Sequence, residues 1–202
     1  MNTHHELSLY LQEHGTLTSP LLIESFNAID RKDFVLFSFH DQAYEDYPLS
    51  IGEGQTISQP FTVAFMLELL ELQEEDTVLD IGCGSGWTTA LLAHAVKSGS
   101  VTAIERIPQL LSLAQHNLSK YNFSNIRLKL AGKTLGLPEQ TFDKILVSAA
   151  AEELPFELVQ QLNPGGIMVI PIQNEIAVIY KKENERFEQK DFYGFRFVPL
   201  IY

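Results

Sequence analysis

The chain has 202 residues, of which 45% are hydrophobic and 20% are charged, and this length and composition suit one domain with a full core. Acidic residues outnumber basic ones by 26 to 14, giving a formal net charge of -12, so binding to nucleic acid or to an anionic membrane through bulk electrostatics is not expected. No apolar run approaches the roughly 20 residues of a membrane-spanning helix, and the first residues lack the pattern of a secretory signal.

The first 60 residues are predicted to form helices followed by a loop. Apolar residues fall at helical spacing over residues 7–11 and 21–26. Between them, Ser19 before Pro20 has the pattern of a helix N-cap with a first-turn proline. Residues 41–59 carry glycine and proline among polar residues and are predicted to form an ordered loop. A loop of this length is uncommon in a compact domain unless it works at a site.

From residue 61 onwards the pattern predicts alternating helices and strands. Helices are predicted at 61–70, 88–96, 108–118 and 155–162, and strands at 77–81, 101–104, 126–130, 144–147 and 167–172. This alternation is typical of a doubly wound, Rossmann-like α/β fold with a mostly parallel sheet and helices on both faces. Two further apolar runs, 176–180 and 192–198, are predicted to add antiparallel strands at the C-terminal edge, which makes seven strands.

The first predicted strand of this region runs into a glycine turn, Gly82-x-Gly84-x-Gly86, and then into a helix. Glycine lets the backbone approach a ligand at a helix N-terminus, because no Cβ blocks it. Nucleotide-type cofactors use this geometry, although glycine turns also occur simply to reverse the chain. Glu105 ends the next predicted strand about 20 residues later, where a carboxylate can accept hydrogen bonds from ribose hydroxyls.

Two residues beside the glycine turn distinguish between cofactors. A dinucleotide fingerprint has its third glycine three residues after the second, and Trp87 occupies that position here. Asp80, just before the turn, would repel a pyrophosphate and suits the ammonium and sulfonium groups of S-adenosylmethionine. The sequence therefore favours S-adenosylmethionine over NAD.

The segment from Pro48 to Pro60 resembles the protein-L-isoaspartate O-methyltransferases. The resemblance continues in order through residues 78–87, 102–106, 148–151, 161–171 and 197–200. It implies methyl transfer from S-adenosylmethionine to the α-carboxylate of L-isoaspartyl residues in damaged proteins and peptides. It also implies a single methyltransferase domain over 1–202, with 1–60 as a helical extension carrying the substrate loop and 61–202 as the cofactor-binding core.

The resemblance also assigns site residues. Ser58 takes the position of the serine assigned to the active site, and Gln55 and Thr56 lie beside it in the substrate-binding segment. Cofactor positions fall on Asp80, Gly82, Gly84, Gly86, Glu105, Gly132 and Lys133. A substrate carboxylate is already ionised at neutral pH, so the reaction needs alignment and desolvation more than a base. Judged locally, Ser58 before Gln59 and Pro60 also has the pattern of a helix N-cap.

One departure from the family concerns the adenine side of the cofactor. The family follows its third strand with Gly-Asp-Gly, whose aspartate is expected to meet the adenine amino group, whereas this chain has Ala131, Gly132 and Lys133. Loss of a buried hydrogen-bond partner costs about 1 to 3 kcal/mol. Two alternatives therefore stay open: a diverged methyltransferase with another acceptor, and a non-catalytic binding protein with weakened cofactor affinity.

The cysteine and histidine residues indicate neither a disulfide framework nor a metal site. Cys83 is the single cysteine, which fits a reducing, cytoplasmic compartment. The six histidines show no metal-ligand spacing. The expected partners are isoaspartyl proteins or peptides, without nucleic acid or membrane, and the sequence leaves the oligomeric state open.

Overall fold

The computed structural model describes residues 1–183 and 186–202. Over these residues the helices are α1 His4–Glu13, α2 Pro20–Ala28, α3 Pro60–Leu69, α4 Trp87–Ala95, α5 Pro108–Leu118 and α6 Phe156–Gln160. The strands are β1 Leu49–Gly52, β2 Gln55–Ile57, β3 Thr77–Ile81, β4 Ser100–Glu105, β5 Ile126–Leu130, β6 Phe142–Val147, β7 Leu162–Ile172, β8 Glu175–Lys181 and β9 Phe187–Tyr193. Two short 3-10 helices, Arg31–Phe34 and Phe37–Gln42, follow α2.

Seven strands form one sheet in the order β5-β4-β3-β6-β7-β8-β9, which confirms the predicted doubly wound, mostly parallel α/β fold. The strands from β5 to β7 in this order are parallel, and β8 and β9 are antiparallel additions at one edge. The central strands are almost continuously apolar because both faces are covered. Val78 packs in the cluster that contains α1 to α4, whereas its neighbour Leu79 packs on the opposite face with Leu158 of α6.

The region predicted as a loop over 41–59 contains a β-hairpin, so that prediction was incomplete. Strand β1 pairs antiparallel with β2, with Leu49 opposite Ile57. Gly52 and Gly54 have φ angles of 90° and 70°, and these left-handed conformations, which glycine adopts readily, close the turn. Two strands of four and three residues are too short for their alternation to stand out in the sequence.

The last strand was predicted too late in the chain. The run 192–198 was expected to form it, but β9 covers Phe187–Tyr193 and pairs with β8 from Lys181 opposite Phe187 to Glu175 opposite Tyr193. Strand β9 lies at the edge of the sheet and is mostly exposed, so its apolar pattern is weak. The residues after it turn back over the sheet, where the Ala150 N–H donates to the Val198 carbonyl at 2.8 Å.

The topology places an opening beside β3. Strand β3 is flanked by β4 on one side and β6 on the other, so the crossover connections leave it in opposite directions. In open α/β sheets, ligands bind outside the carboxyl ends of strands at this kind of switch point. Within residues 1–183 and 186–202, no helix is long and apolar enough to cross a bilayer.

Candidate functional site

A cavity lies at the carboxyl ends of β3, β4 and β6. Most of its wall comes from three parts of the chain: the turns that follow these strands and β5, the β1–β2 hairpin, and the residues from Val198 to Tyr202. The parts come from distant stretches of sequence, and the switch point beside β3 brings them together. Its walls combine apolar side chains with a small number of polar groups, as expected of a small-molecule site.

The glycine turn forms one wall of the cavity, and Gly82 and Gly84 both line it. A Cβ built on Gly84 would lie 3.1 Å from Cδ1 of Ile51, so the hairpin packs directly on the turn. Gly86 is not on the wall. It is the N-cap of α4 with φ 95°, and a Cβ there would lie 3.3 Å from the Cβ of Ala114, which explains why glycine is needed.

Glu105 ends β4 at the cavity and is only 5% exposed. Its Oε2 accepts the Gly84 N–H at 3.0 Å, and its Oε1 accepts the Ile107 N–H at 2.9 Å. The carboxylate thus ties the glycine turn to the loop after β4. Each oxygen has a further lone pair that can accept a hydroxyl from a ligand in the cavity.

Asp80 lies beneath the glycine turn and does not line the cavity wall. Its side chain is fully buried, and Oδ2 accepts the hydroxyls of Thr88 and Thr89 at 3.1 and 2.6 Å. Its Oδ1 has no hydrogen-bond partner within the protein. Burial raises the pKa of Asp80 to about 6, and the two threonine hydroxyls oppose that rise. The carboxylate is therefore kept in an environment that strongly favours an added positive charge.

The hairpin brings the predicted substrate residues to the cavity, where Gln55, Thr56 and Ser58 all line the wall. The predicted N-cap role of Ser58 is wrong. Helix α3 has Gln59 as its N-cap residue, without a side-chain cap bond, and the Phe61 N–H in the first turn donates to Asp46 Oδ1 at 2.8 Å. Another part of the chain thus satisfies the start of α3.

The turn after β5 lines the cavity in part. Gly132 is on the wall, as is Thr134, whereas Lys133 is exposed and is not on the wall. A Cβ built on Gly132 would meet no atom within 4 Å. The position where the resemblance leads us to expect an aspartate therefore faces open space.

Sequence reasoning missed several residues of the site. Trp87, Ser148 and the stretch from Val198 to Tyr202 line the cavity, although none was assigned a role. Trp87 begins α4 directly after the glycine turn, so its place in the sequence was a usable signal. The last residues reach the cavity through the contact with Ala150, which no local pattern reveals.

Cys83 lines the cavity but is buried, and burial raises the pKa of its thiol well above the usual value, with Asp80 and Glu105 adding to the effect. A thiol that stays protonated is a poor nucleophile. Over the described part of the chain, no group of three or more His, Cys, Asp or Glu side chains is arranged to hold a metal ion.

The family model and the individual relatives that match this chain identify the same family. Residues 2–202 match the model of the family described as Protein-L-isoaspartate(D-aspartate) O-methyltransferase. The chain is 42% identical to a protein-L-isoaspartate O-methyltransferase of Fervidobacterium nodosum, over 95% of this chain and 98% of that protein. It is 41% identical to one of Photobacterium profundum, over 98% of this chain and 94% of that protein.

Solved structures agree with the sequence comparisons. A candidate protein-L-isoaspartate O-methyltransferase from Plasmodium falciparum, crystallised with S-adenosyl-L-homocysteine, superposes with a TM-score of 0.89 and 25% identity over 100% of this chain and 99% of that one. A protein-L-isoaspartate O-methyltransferase superposes with a TM-score of 0.88 and 26% identity over 98% of this chain and 65% of that one.

Proposed function

This chain belongs to the protein-L-isoaspartate(D-aspartate) O-methyltransferase family, and we propose that the cavity beside β3 carries out the family's reaction. The protein is an enzyme that uses S-adenosylmethionine to methylate the α-carboxylate of L-isoaspartyl residues. The observation that carries the proposal is the direct packing of the hairpin residue Ile51 on Gly84 of the glycine turn. It puts Ser58 and Glu105 on the walls of one cavity.

The residues around the glycine turn fit S-adenosylmethionine. Asp80 Oδ1 is buried without a partner, and its negative charge favours a cationic ligand next to the turn above it. The two oxygens of Glu105 each accept one backbone N–H and keep a lone pair for ribose hydroxyls. When bound, S-adenosylmethionine supplies a methyl group made electrophilic by its sulfonium.

The hairpin side of the cavity is where we place the substrate carboxylate. The hydroxyls of Thr56 and Ser58 donate hydrogen bonds to its oxygens and fix its direction of approach. Ile51, Val63 and Val198 exclude water, which strengthens those hydrogen bonds. The carboxylate is ionised at neutral pH, so no general base is required, and the described residues of the cavity wall include neither histidine nor lysine.

We infer that residues 1–202 form a single domain whose two parts contribute different sides of the cavity. Residues 1–60 contribute the hairpin and Ser58, and residues 61–202 contribute the glycine turn and Glu105. The substrate is a damaged protein or peptide that carries the isoaspartyl residue. We place the enzyme in the cytoplasm, because its one cysteine, Cys83, is unpaired, which fits a reducing compartment.

The experiment that tests this function measures transfer of labelled methyl groups to an isoaspartyl peptide. The expected product is a base-labile methyl ester, which the same peptide with ordinary aspartate does not form. Esterification of a different acid, with the isoaspartyl peptide left unmodified, would contradict the proposed substrate. Binding of S-adenosylmethionine without any transfer would favour the non-catalytic alternative.

Ser58→Ala tests the role of the hairpin hydroxyl. We expect kcat/KM for the isoaspartyl peptide to fall roughly 10- to 100-fold, as for the loss of a hydrogen bond to a charged group. Thermal unfolding should change little, because Ser58 is not the N-cap of α3. Ser50→Ala is the matched control, since Ser50 is an exposed serine on β1 that does not line the cavity. An equal loss of activity in both variants would contradict a specific role for Ser58.

A further inference from the structure

Arg31 is a fully buried arginine whose guanidinium binds four backbone carbonyls on both sides of the hairpin. Its Nη1 donates to the carbonyls of Ala43 at 2.9 Å and Glu45 at 3.1 Å. Its Nη2 donates to the carbonyls of Tyr47 and Ser58, each at 3.0 Å. The planar fork of one side chain thus joins the segment that enters the hairpin to the residue that leaves it.

Asp46 lies between two of the carbonyls that Arg31 binds, and it fixes the other side of Ser58. Its Oδ1 accepts the Phe61 N–H at 2.8 Å, and its Oδ2 accepts the side-chain amide of Gln59 at 3.1 Å. Ser58 is therefore held directly through its own carbonyl and indirectly through Gln59, the N-cap residue of α3, and Phe61 in its first turn. A shift of the guanidinium would move all of these groups together.

Arg31 also contacts the cofactor side of the cavity. The guanidinium carbon lies 5.3 Å from the ring centroid of Trp87, a distance within the range of a cation–π interaction. Trp87 is buried, lines the cavity and begins α4 directly after the glycine turn. Arg31 is thus one side chain in contact both with the carbonyl of Ser58 and with a residue of the cofactor wall.

The four carbonyls around this side chain require the donors of an arginine rather than those of a lysine. A lysine ammonium has three N–H donors around one point and cannot span four carbonyls, whereas a guanidinium presents five in a plane. Burial lowers the pKa of Arg31 to about 10, and the nearby charge of Asp46 opposes that fall. The side chain therefore keeps its charge and its donors throughout the neutral range.

We propose that Arg31 is a positioning residue for methyl transfer, which sets the place of Ser58 relative to the cofactor wall. The inference rests on the proposed function, because the hydroxyl of Ser58 must meet the substrate. Arg31 lies behind the wall and touches no substrate, so it acts only through the carbonyl of Ser58, the segment from Ala43 to Tyr47 and the ring of Trp87.

The test compares Arg31→Lys, Arg31→Met and Asp46→Asn with the wild-type full chain at saturating S-adenosylmethionine. We expect Arg31→Lys to raise KM for the isoaspartyl peptide about tenfold or more and to lower kcat, because a small misplacement of an aligning group has large kinetic effects. The dissociation constant of S-adenosyl-L-homocysteine, measured by calorimetry, should change less than about threefold. Arg31→Met should show a larger effect and Asp46→Asn a smaller one, both in the same direction.

Lys144→Met is the matched control. Lys144 is another buried cation that donates to a backbone carbonyl, that of Glu71, and it lies away from the cavity on β6. We expect this variant to lose thermal stability while KM stays at the wild-type value.

Four outcomes decide the inference. A wild-type KM and kcat in Arg31→Lys would overturn it, and so would an equal weakening of peptide and S-adenosyl-L-homocysteine binding. If neither Arg31 variant folds, an unchanged KM in Asp46→Asn overturns it and a raised KM supports it. Failure of the wild-type enzyme itself to esterify the peptide would instead contradict the proposed function, so the two failures are distinguishable.

Discussion

Asp80 is a single residue whose burial reduces the stability of the folded protein. The carboxylate is fully buried with one unpaired oxygen, and its pKa is raised from 3.8 to about 6. Desolvation of the charged form therefore outweighs the hydrogen bonds from Thr88 and Thr89. We propose that Asp80 serves to attract a bound cation rather than to stabilise the fold.

We expect Asp80→Asn to stabilise the ligand-free protein and to weaken the binding of S-adenosyl-L-homocysteine, whose amino group is cationic. At pH 7 the free energy of unfolding should rise by about 1 to 3 kcal/mol, because each unit of pKa shift corresponds to about 1.4 kcal/mol. Binding should weaken about tenfold or more with loss of the charge. Urea unfolding and calorimetry measure the two effects, and a destabilised Asp80→Asn would contradict the argument.

The difference in the free energy of unfolding between the wild type and Asp80→Asn should change with pH in one direction. The folded state holds the proton of Asp80 up to about pH 6, whereas the unfolded state releases it near 3.8, so wild-type stability falls relative to the variant as pH rises between these values.

Asp143 is the contrasting control. Burial alone would raise its pKa, but hydrogen bonds from Thr77 and Asn163 outweigh burial and lower it. Asp143→Asn should therefore destabilise the protein at neutral pH.

Gly132 permits a direct test of the departure on the adenine side. A Cβ there meets no atom within 4 Å, and its φ lies outside the left-handed region, so an aspartate fits without strain. We expect Gly132→Asp to tighten S-adenosyl-L-homocysteine binding roughly 3- to 30-fold by adding an acceptor for the adenine amino group. Calorimetry measures the change. Gly132→Ala is the control, because it adds a Cβ without an acceptor. Equal affinity in Gly132→Asp and the wild type would show that backbone groups already satisfy the adenine.

The site residues divide into those that sequence reveals and those that it does not. Gly84 and Glu105 belong to a local pattern with fixed spacing, so their positions were predictable. Arg31 is flanked by Asp30 and Lys32, and a run of charges normally indicates a solvated surface. Its burial depends on carbonyls up to 27 residues away, which only the folded chain brings together.

The start of α2 shows how an element can be predicted correctly for an incorrect reason. Ser19 occupies the N-cap position and Pro20 the first turn, as the sequence indicated, but the Ser19 side chain makes no cap bond. Glu68 of α3 instead accepts the N–H groups of Thr18 and Ser19 at 2.7 and 2.8 Å, and the Thr18 hydroxyl at 2.9 Å. The helix start is fixed by another helix.

We therefore expect Glu68→Ala to destabilise the protein by about 1 to 2 kcal/mol, since three donors lose their acceptor. Ser19→Ala should change stability by less than about 0.5 kcal/mol, because no cap bond is lost. Urea unfolding of the two variants side by side measures the difference. A larger loss of stability in Ser19→Ala than in Glu68→Ala would contradict this expectation and support the serine cap that the sequence predicted.

Among the elements, the parallel strands were the most predictable. Strands β3, β4 and β6 are mostly apolar and buried, whereas the edge strand β5 alternates apolar residues with Arg127 and Lys129. Both patterns stand out in the sequence. The hairpin and β9 do not stand out, because their strands are short or lie at an exposed edge. The least predictable elements therefore include the hairpin that we propose as the substrate side of the cavity.

The whole molecule carries a net charge of -12, and that charge bears on the substrates it meets. The fold class was predictable from strand–helix alternation, but the path of residues 198–202 back over the cavity was not. It depends on the hydrogen bonds that Ala150 makes with Val198 and Leu200, which no local pattern reveals. Damaged proteins differ in the charges that flank the isoaspartyl residue. The electrostatic field of the whole protein should then discriminate among them, in addition to the recognition of the isoaspartyl group that we propose for the cavity.

Two peptides with the same isoaspartyl centre, one flanked by lysines and one by glutamates, test this effect. At low ionic strength we expect kcat/KM to be about 3- to 10-fold higher for the lysine peptide, because the acidic protein attracts it. The Debye length shrinks from about 30 Å at 0.01 M salt to about 3 Å at 1 M, so the ratio should approach one in high salt. The dissociation constant of S-adenosyl-L-homocysteine serves as the control and should depend much less on salt. A preference for the glutamate peptide would mean that a local positive charge, such as that of Arg106 on the cavity wall, outweighs the net charge of the protein.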